Sequence, residues 1–471
     1  MKKIFIISML FVFALQTNAQ SPFAGIWQGL MGEGSKSLFV VFRISEMDNN
    51  LTGTMDVPQQ MILDYKNLKF RTNNDSLIID IPAFKASFKA ILDKDSLRGS
   101  WHQSGHENPL VLGLTPEEKA FSMNRPQTPK APYPYITKEV TFTNKKAKIQ
   151  LAGTLSIPDT TKVWPVVVLV SGSGPQDRNE ALIRHEPFHV IADYFTRNGI
   201  AVLRYDDRGV GKSEGNFPAA TTLDFSSDAA SAVAYLKTLP YINKKEMGMV
   251  GHSEGGIIVL MQAAENKSLR FVISMAGVSV PCSQLLVMQN DALLEGYGAP
   301  EEMREFFVNF NSALYTLIQI EENPEQLREK VTALFNESVA GLSDEQKKEF
   351  GLNDQYVTSQ LMQLNTPWFR YFLSIIPTNY IKKIKINTLA INGSKDKQVP
   401  AEENMEAFKN YFVQRPGTYM DNHIFPDLNH LFQPCTTGLP AEYAMIETTI
   451  DPYVLEYMTN WIKKVLEPSR K

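Results

Sequence analysis

The sequence predicts an α/β chain, with a mostly parallel central sheet flanked by helices and a helical cap insertion, preceded by a small antiparallel β barrel or sandwich. Three observations predict it. Residues 21–115 hold short segments that often alternate apolar with polar residues. From about 138, continuous apolar runs alternate with helical stretches, the pattern of a parallel sheet wrapped by helices. Between about 278 and 380 clear strands stop and only helix-like stretches remain, so some hundred residues sit inserted between two core strands.

The first 20 residues stand apart. Lys2 and Lys3 precede an apolar run from Ile4 to Leu15, and Thr17-Asn18-Ala19 offers a small residue for cleavage after Ala19 or Gln20. This pattern predicts a signal peptide and an exported protein, periplasmic or secreted. The run falls short of the ~20 apolar residues of a membrane span, and stable membrane insertion after cleavage is not expected.

Within 21–115, Ser37–Ile44, Leu51–Val57, Leu77–Ile81, Ala86–Leu92 and Leu97–Gln103 read as strands, punctuated by Asn-Asn and Asp-Ser pairs. Gly25–Gly29 and Gly99–Trp101 are expected to close the sheet on itself. Pro126, Pro129, Pro132 and Pro134 disfavour helix and mark 116–137 as a linker. The second unit is expected over 138–471. Lys138–Thr143 and Ile149–Ile157 open it as an antiparallel pair. Buried strands follow at Val166–Val170, Ala201–Tyr205, Met247–Val250 and Phe271–Met275, with helices over Pro187–Asn198 and Leu223–Leu239. Cap helices are expected near Pro300–Ile320, Pro324–Phe335 and Asp354–Gln363. Strand Thr388–Asn392, helix Glu402–Phe412, a strand near Tyr419–Phe425 and a last helix over about 451–465 complete the chain.

Bulk composition narrows the function. Hydrophobic residues make up 43% and charged residues 21%, which suits a globular chain with a large core. The formal net charge of −4, with no basic stripe, excludes nucleic acid as an expected partner. Cys282 and Cys435 are the only cysteines, expected as two free, buried thiols. Neither metal-ligand spacing nor a cofactor motif is present. His185-Glu186-Pro187-Phe188-His189 matches a zinc-protease motif by letter, but Pro187 disfavours helix at the preceding residue and places His185 outside it.

The chemistry converges on one constellation. Gly251-His252-Ser253-Glu254-Gly255 follows a strand and precedes a helix. A nucleophile on so tight a turn needs small neighbours, and the turn exposes Ser253 Oγ. The Glu254 amide, at the helix start, becomes one oxyanion donor. His252 is expected to pack. A serine requires a base, and two later loops supply partners: Asn392–Pro400 carries Asp396, and Pro426–Phe432 carries His430. His430 would act as base and Asp396 would hold its tautomer. Asp421 and Asp427 are rival acids and His423 a rival base, but none stands where the order of elements wants it. Ser171-Gly172-Ser173-Gly174-Pro175 is placed to give the second oxyanion donor, Ser173 first and Gly174 next. Asp206–Ser213 reads as a rigid, hydrogen-bonded loop beside the site.

Ser171–Arg178, Leu203–Ser213 and Gly251–Gly256 together resemble bacterial α/β-hydrolase carboxylesterases, members of which can carry an exported N-terminal β domain. The resemblance covers about 138–277 and 383–470 and implies hydrolysis of a small-molecule ester through an acyl-enzyme, with Ser253, Asp396 and His430 as triad. Secreted serine peptidases of the same fold share a similar turn, and a non-catalytic glycan- or protein-binding role is the reading of another class. Cap aromatics such as Phe306, Phe307, Phe310, Tyr315, Trp368, Phe369, Tyr371 and Phe372 could roof an acyl pocket, though packing within the cap accounts for most of them more simply.

Overall fold

The computed structural model describes residues 21–32, 37–353 and 355–467, so the expected signal peptide lies outside the described residues. The chain forms two compact units divided between Ser122 and Met123.

The first unit is one nine-stranded antiparallel sheet: β1 (Gly25–Met31), β2 (Leu38–Met47), β3 (Asn50–Val57), β4 (Ile62–Tyr65), β5 (Lys69–Asn73), β6 (Ser76–Ile81), β7 (Ala86–Asp93), β8 (Ser96–Gln103) and β9 (His106–Thr115). Their order is β4-β3-β2-β1-β9-β8-β7-β6-β5. Alternation puts Leu77, Ile79 and Ile81 of β6 and Phe88 of β7 into one apolar core with Trp27, Phe42 and Leu112. The closure expected between Gly25–Gly29 and Gly99–Trp101 does not form. β1 pairs with β9, while Gly99–Trp101 lies on β8. First and last strands therefore meet mid-sheet, and β4 and β5 are the ends of a half-barrel.

The second unit is built on an eight-stranded sheet. Its strands are β10 (Ile136–Asn144), β11 (Ile149–Ile157), β12 (Trp164–Val170), β13 (Ala201–Tyr205), β14 (Ile242–His252), β15 (Phe271–Met275), β16 (Asn387–Gly393) and β17 (Met420–Phe425). The order is β10-β11-β13-β12-β14-β15-β16-β17, and every pairing from β13 to β17 is parallel. Val166–Val170 of β12 reads as an unbroken apolar run because both faces of the sheet are covered there. One core lies between the sheet and helices α2 (Thr222–Leu236), α3 (Glu254–Glu265) and α11 (Ala401–Tyr411); the other lies against α1 (Pro187–Arg197) and α12 (Pro452–Leu466). Phe188, Ile191, Ala192 and Phe195 give α1 a single buried stripe, and Pro187 at its first turn suits a position whose N–H has no intrahelical partner.

Between β15 and β16 come α4 (Cys282–Gly296), α5 (Glu301–Ile320), α6 (Pro324–Val339), α7 (Asp344–Glu349), α8 (Tyr356–Leu364), α9 (Pro367–Ser374) and α10 (Thr378–Ile381). Phe310, Leu314, Ile318, Leu327, Val331 and Leu373 give this insertion its own core. Phe310, Tyr315 and Phe369 pack there, whereas Phe372 packs against Ile257 and Met261 of α3. The two cysteines are free, but only Cys282 is buried; Cys435 is half-buried, in the loop after β17.

Candidate active site

All the parallel strands end at one rim, and the chemistry-bearing residues lie just past those ends. Ser253 follows β14 and caps α3 with φ 55° and ψ −118°. That conformation is costly for a residue with a Cβ and persists only where the surroundings impose it. The glycines around it are obligatory. A Cβ on Gly251 would sit 2.0 Å from the Gly255 carbonyl oxygen, and one on Gly255 would sit 2.1 Å from that of Val170. The half-buried Ser253 thus stands on a strained turn whose packing admits only hydrogen at both flanks.

Asp396 and His430 come from the loops after β16 and β17. His430 Nδ1 meets Asp396 Oδ2 at 2.7 Å, with both side chains almost wholly buried. Asp396 Oδ1 accepts the amides of Gln398 and Val399, each at 2.8 Å, which fixes the carboxylate. Asn429 shapes the histidine loop: its Oδ1 accepts the amides of Leu431 and Gln433. The rivals lie elsewhere. Asp427 pairs with Lys395 at 2.8 Å. Asp421 accepts the hydroxyls of Tyr419 and Tyr457 from within β17, and His423, also in β17, stacks on Tyr457.

The turn after β12 carries Ser173, exposed, and Gly174, half-buried with φ 94°. Ser171 Oγ donates to Asp207 at 2.8 Å, and the Gln176 amide reaches the other Asp207 oxygen. Arg178 forks onto Asp206. The Asp206–Ser213 segment is therefore tied to the turn by side-chain bonds. Burial pushes Asp207 up to about 8 against the pull of those donors.

Two neighbours of the serine do more than their sequence suggests. His252 does not merely pack: Nδ1 lies 3.0 Å from Glu180 Oε1, Nε2 lies 3.0 Å from the His430 carbonyl oxygen, and the two histidine rings are 4.7 Å apart. Glu254 is 2% exposed. Its carboxylate accepts the Thr222 hydroxyl at 2.7 Å and the Trp368 indole N–H at 3.0 Å. Burial pushes its pKa above the usual glutamate value despite those donors. Glu180 has no signal in the sequence, because its partners lie 72 or more residues away except for Gly172.

The zinc-like letters do not form a site. His185 precedes α1 and bonds Thr449 and the Tyr443 carbonyl, while His189 turns to Glu186. Among the described residues no group of three or more His, Cys, Asp or Glu is placed to hold a metal ion.

The chain is similar to several known proteins. It is 26% identical to the esterase EstD of Thermotoga maritima over 318 residues, 67% of this chain and 66% of that protein. A thiohydrolase of Arthrinium phaeospermum, apmlB, is 32% identical over 99 residues, 20% of this chain and 31% of that one. The matched stretches thus span just under two thirds and under one third of those relatives' lengths. The α/β hydrolase GrgF of Penicillium sp. sh18 superposes with a TM-score of 0.43 at 17% identity, covering 70% of this chain and 99% of that one. The X-Pro dipeptidyl-peptidase (S15 family) model matches residues 147–425. That match runs from β11 to the end of β17, more than half of the chain, and takes in the elbow, the cap and the acid loop: the chain belongs to the X-Pro dipeptidyl-peptidase (S15) family.

Proposed function

We propose that this protein is an exported serine hydrolase, periplasmic or secreted, that cleaves carboxylic esters of short to medium acyl chains through an acyl-enzyme. The observation that carries the reading is the buried 2.7 Å pair of His430 with Asp396, set at the same sheet rim as the strained turn of Ser253. Ser253 Oγ attacks the acyl carbon while His430 Nε2 takes its proton. Asp396 holds Nδ1–H and stabilises the imidazolium. The amides of Glu254 and Ser173, with Gly174 next, receive the oxyanion. Collapse expels the alcohol, which leaves with the proton from His430. Water then attacks the acyl-enzyme by the same route and frees the acid. The Thermotoga relative, named an esterase, supports the ester reading.

The matching family supports a second reading, an aminopeptidase-like cleavage after an X-Pro dipeptide by the same three residues. A panel of p-nitrophenyl esters beside X-Pro p-nitroanilides separates the two. Turnover confined to the anilides overturns the ester reading. A fluorophosphonate probe is expected to label the wild type and not Ser253→Ala; equal labelling removes Ser253 as nucleophile.

A further inference from the structure

We propose that His252 is a positioning residue held as an imidazolium, donating one N–H to Glu180 and the other to the His430 carbonyl, so that one buried ion pair sets both the histidine loop and the turn after β12. The inference rests on the reading of His430 as base and Ser253 as nucleophile.

The argument is one of donors and acceptors. A neutral imidazole has a single N–H and one bare nitrogen. Here Nδ1 faces a carboxylate oxygen at 3.0 Å and Nε2 faces a backbone carbonyl at 3.0 Å. A carbonyl only accepts, so Nε2 carries a proton. Glu180 Oε1 also accepts the Gly172 amide at 2.7 Å, and an oxygen already receiving an N–H serves best as an acceptor toward Nδ1 as well, so the second proton is assigned to Nδ1. A buried bare nitrogen facing an acceptor would be costly, and so would an unpaired buried carboxylate.

The surroundings agree. Pro187, Phe188 and Ile191 of α1, Met275 of β15, and Leu431, Phe432 and Ile450 wall the space beside His252 and Glu180 with apolar surface. The titratable groups that face the ring are Glu180 from the loop before α1, Asp396 from the loop after β16 and the His430 ring from the loop after β17. Asp207, across the turn, feels the Glu180 charge in turn. Burial opposes charge on His252, but Glu180, the His430 carbonyl and Asp396 together outweigh it and raise its pKa above the usual histidine value.

The two ends of this strut reach the two halves of the machinery. Through Nε2 it grips the backbone of His430 itself. Through Glu180 it grips Gly172, where a Cβ would lie only 3.1 Å from the Ser253 Cβ. Deprotonating His252 breaks one of its two bonds and frees one loop from the other. A displacement of about 1 Å in such a site can cost about 100-fold in rate.

The test is nitrogen-15 NMR of the histidine side chains in the full chain, together with kcat and KM against pH on p-nitrophenyl acetate. One ring is expected to show two protonated nitrogens at pH 7; that signal vanishes in His252→Gln and becomes a neutral ring in Glu180→Gln. His252→Gln is expected to lower kcat about 10- to 100-fold, change KM less than about 2-fold, and remove the alkaline decline of kcat expected of the wild type. His252→Asn, whose amide is one bond shorter and reaches either acceptor less well, is expected to be slower still. A His252 ring with one protonated nitrogen at pH 7, or an unchanged kcat in His252→Gln, overturns the proposal. Absence of fluorophosphonate labelling in the wild type would fault the catalytic reading instead, and the NMR signal would still decide the state of His252.

Discussion

The carboxylate of Glu254 accepts the indole N–H of Trp368 at 3.0 Å across 114 residues of sequence, joining the residue after Ser253 to helix α9 of the insertion. Trp368 also stacks on Phe372, with ring centroids 5.1 Å apart. The insertion is thus fastened to the elbow by a polar bond inside an apolar contact.

Trp368→Phe keeps the stack and removes the donor. Glu254 then loses a bond that favours its ionised form. The variant is expected to lose about 1–3 kcal/mol of stability. Urea denaturation measures it, and an unchanged midpoint would contradict the argument.

Asp396→Asn leaves an oxygen for the amides of Gln398 and Val399 but turns an NH2 toward His430 Nδ1. The wrong tautomer is then held. Turnover is expected to fall about 10,000-fold with little change in thermal midpoint. An unchanged rate would exclude Asp396 as the acid.

Gly255→Ala places a methyl group against the backbone oxygens of Val170 and Ser171, at 2.1 and 2.6 Å. Val170 cannot retreat, because it is held in the sheet opposite Gly251 of β14. A loss of more than about 4 kcal/mol is expected, read as failure to give soluble folded protein or as a collapsed denaturation midpoint.

His185 gives the acid limb of stability. Burial, with Arg125 nearby, lowers its pKa from 6.5 to about 4. The folded pKa is depressed, so the unfolded chain binds the proton more readily between those values. The linked stability is complete above pH 6.5 and is lost as pH falls through about 4. Against His185→Gln, which does not titrate, the wild type's advantage in denaturation midpoint is expected to shrink over that window. A constant difference would refute the linkage.

Much of this fold is legible because burial writes directly into sequence. Val166–Val170 is apolar throughout, and Phe271–Met275 is apolar but for the buried Ser274, as suits strands covered on both faces. Strand β9 escapes that reading: it begins His106-Glu107-Asn108, all exposed, and holds Pro109. Helix α4 buries only Cys282 and Leu285, so its consecutive Leu285-Leu286-Val287-Met288 shows no helical stripe. At the site, Ser253, Asp396 and His430 stand out because each follows a core strand in a recognisable turn. Glu180 and the second role of His252 depend on contacts 72 and 178 residues apart, which spacing does not encode.

The insertion leaves and rejoins the second unit at neighbouring points. The Cys282 amide donates to the Ile375 carbonyl at 3.0 Å, and β15 and β16 lie side by side although the whole insertion separates them in the chain. Closing so long an excursion adds little entropy beyond a short one, since that penalty grows only with the logarithm of length. Joining those two ends by a chain of another length would therefore leave the pairing of β15 with β16, and with it the rim that holds positions 253, 396 and 430, in register.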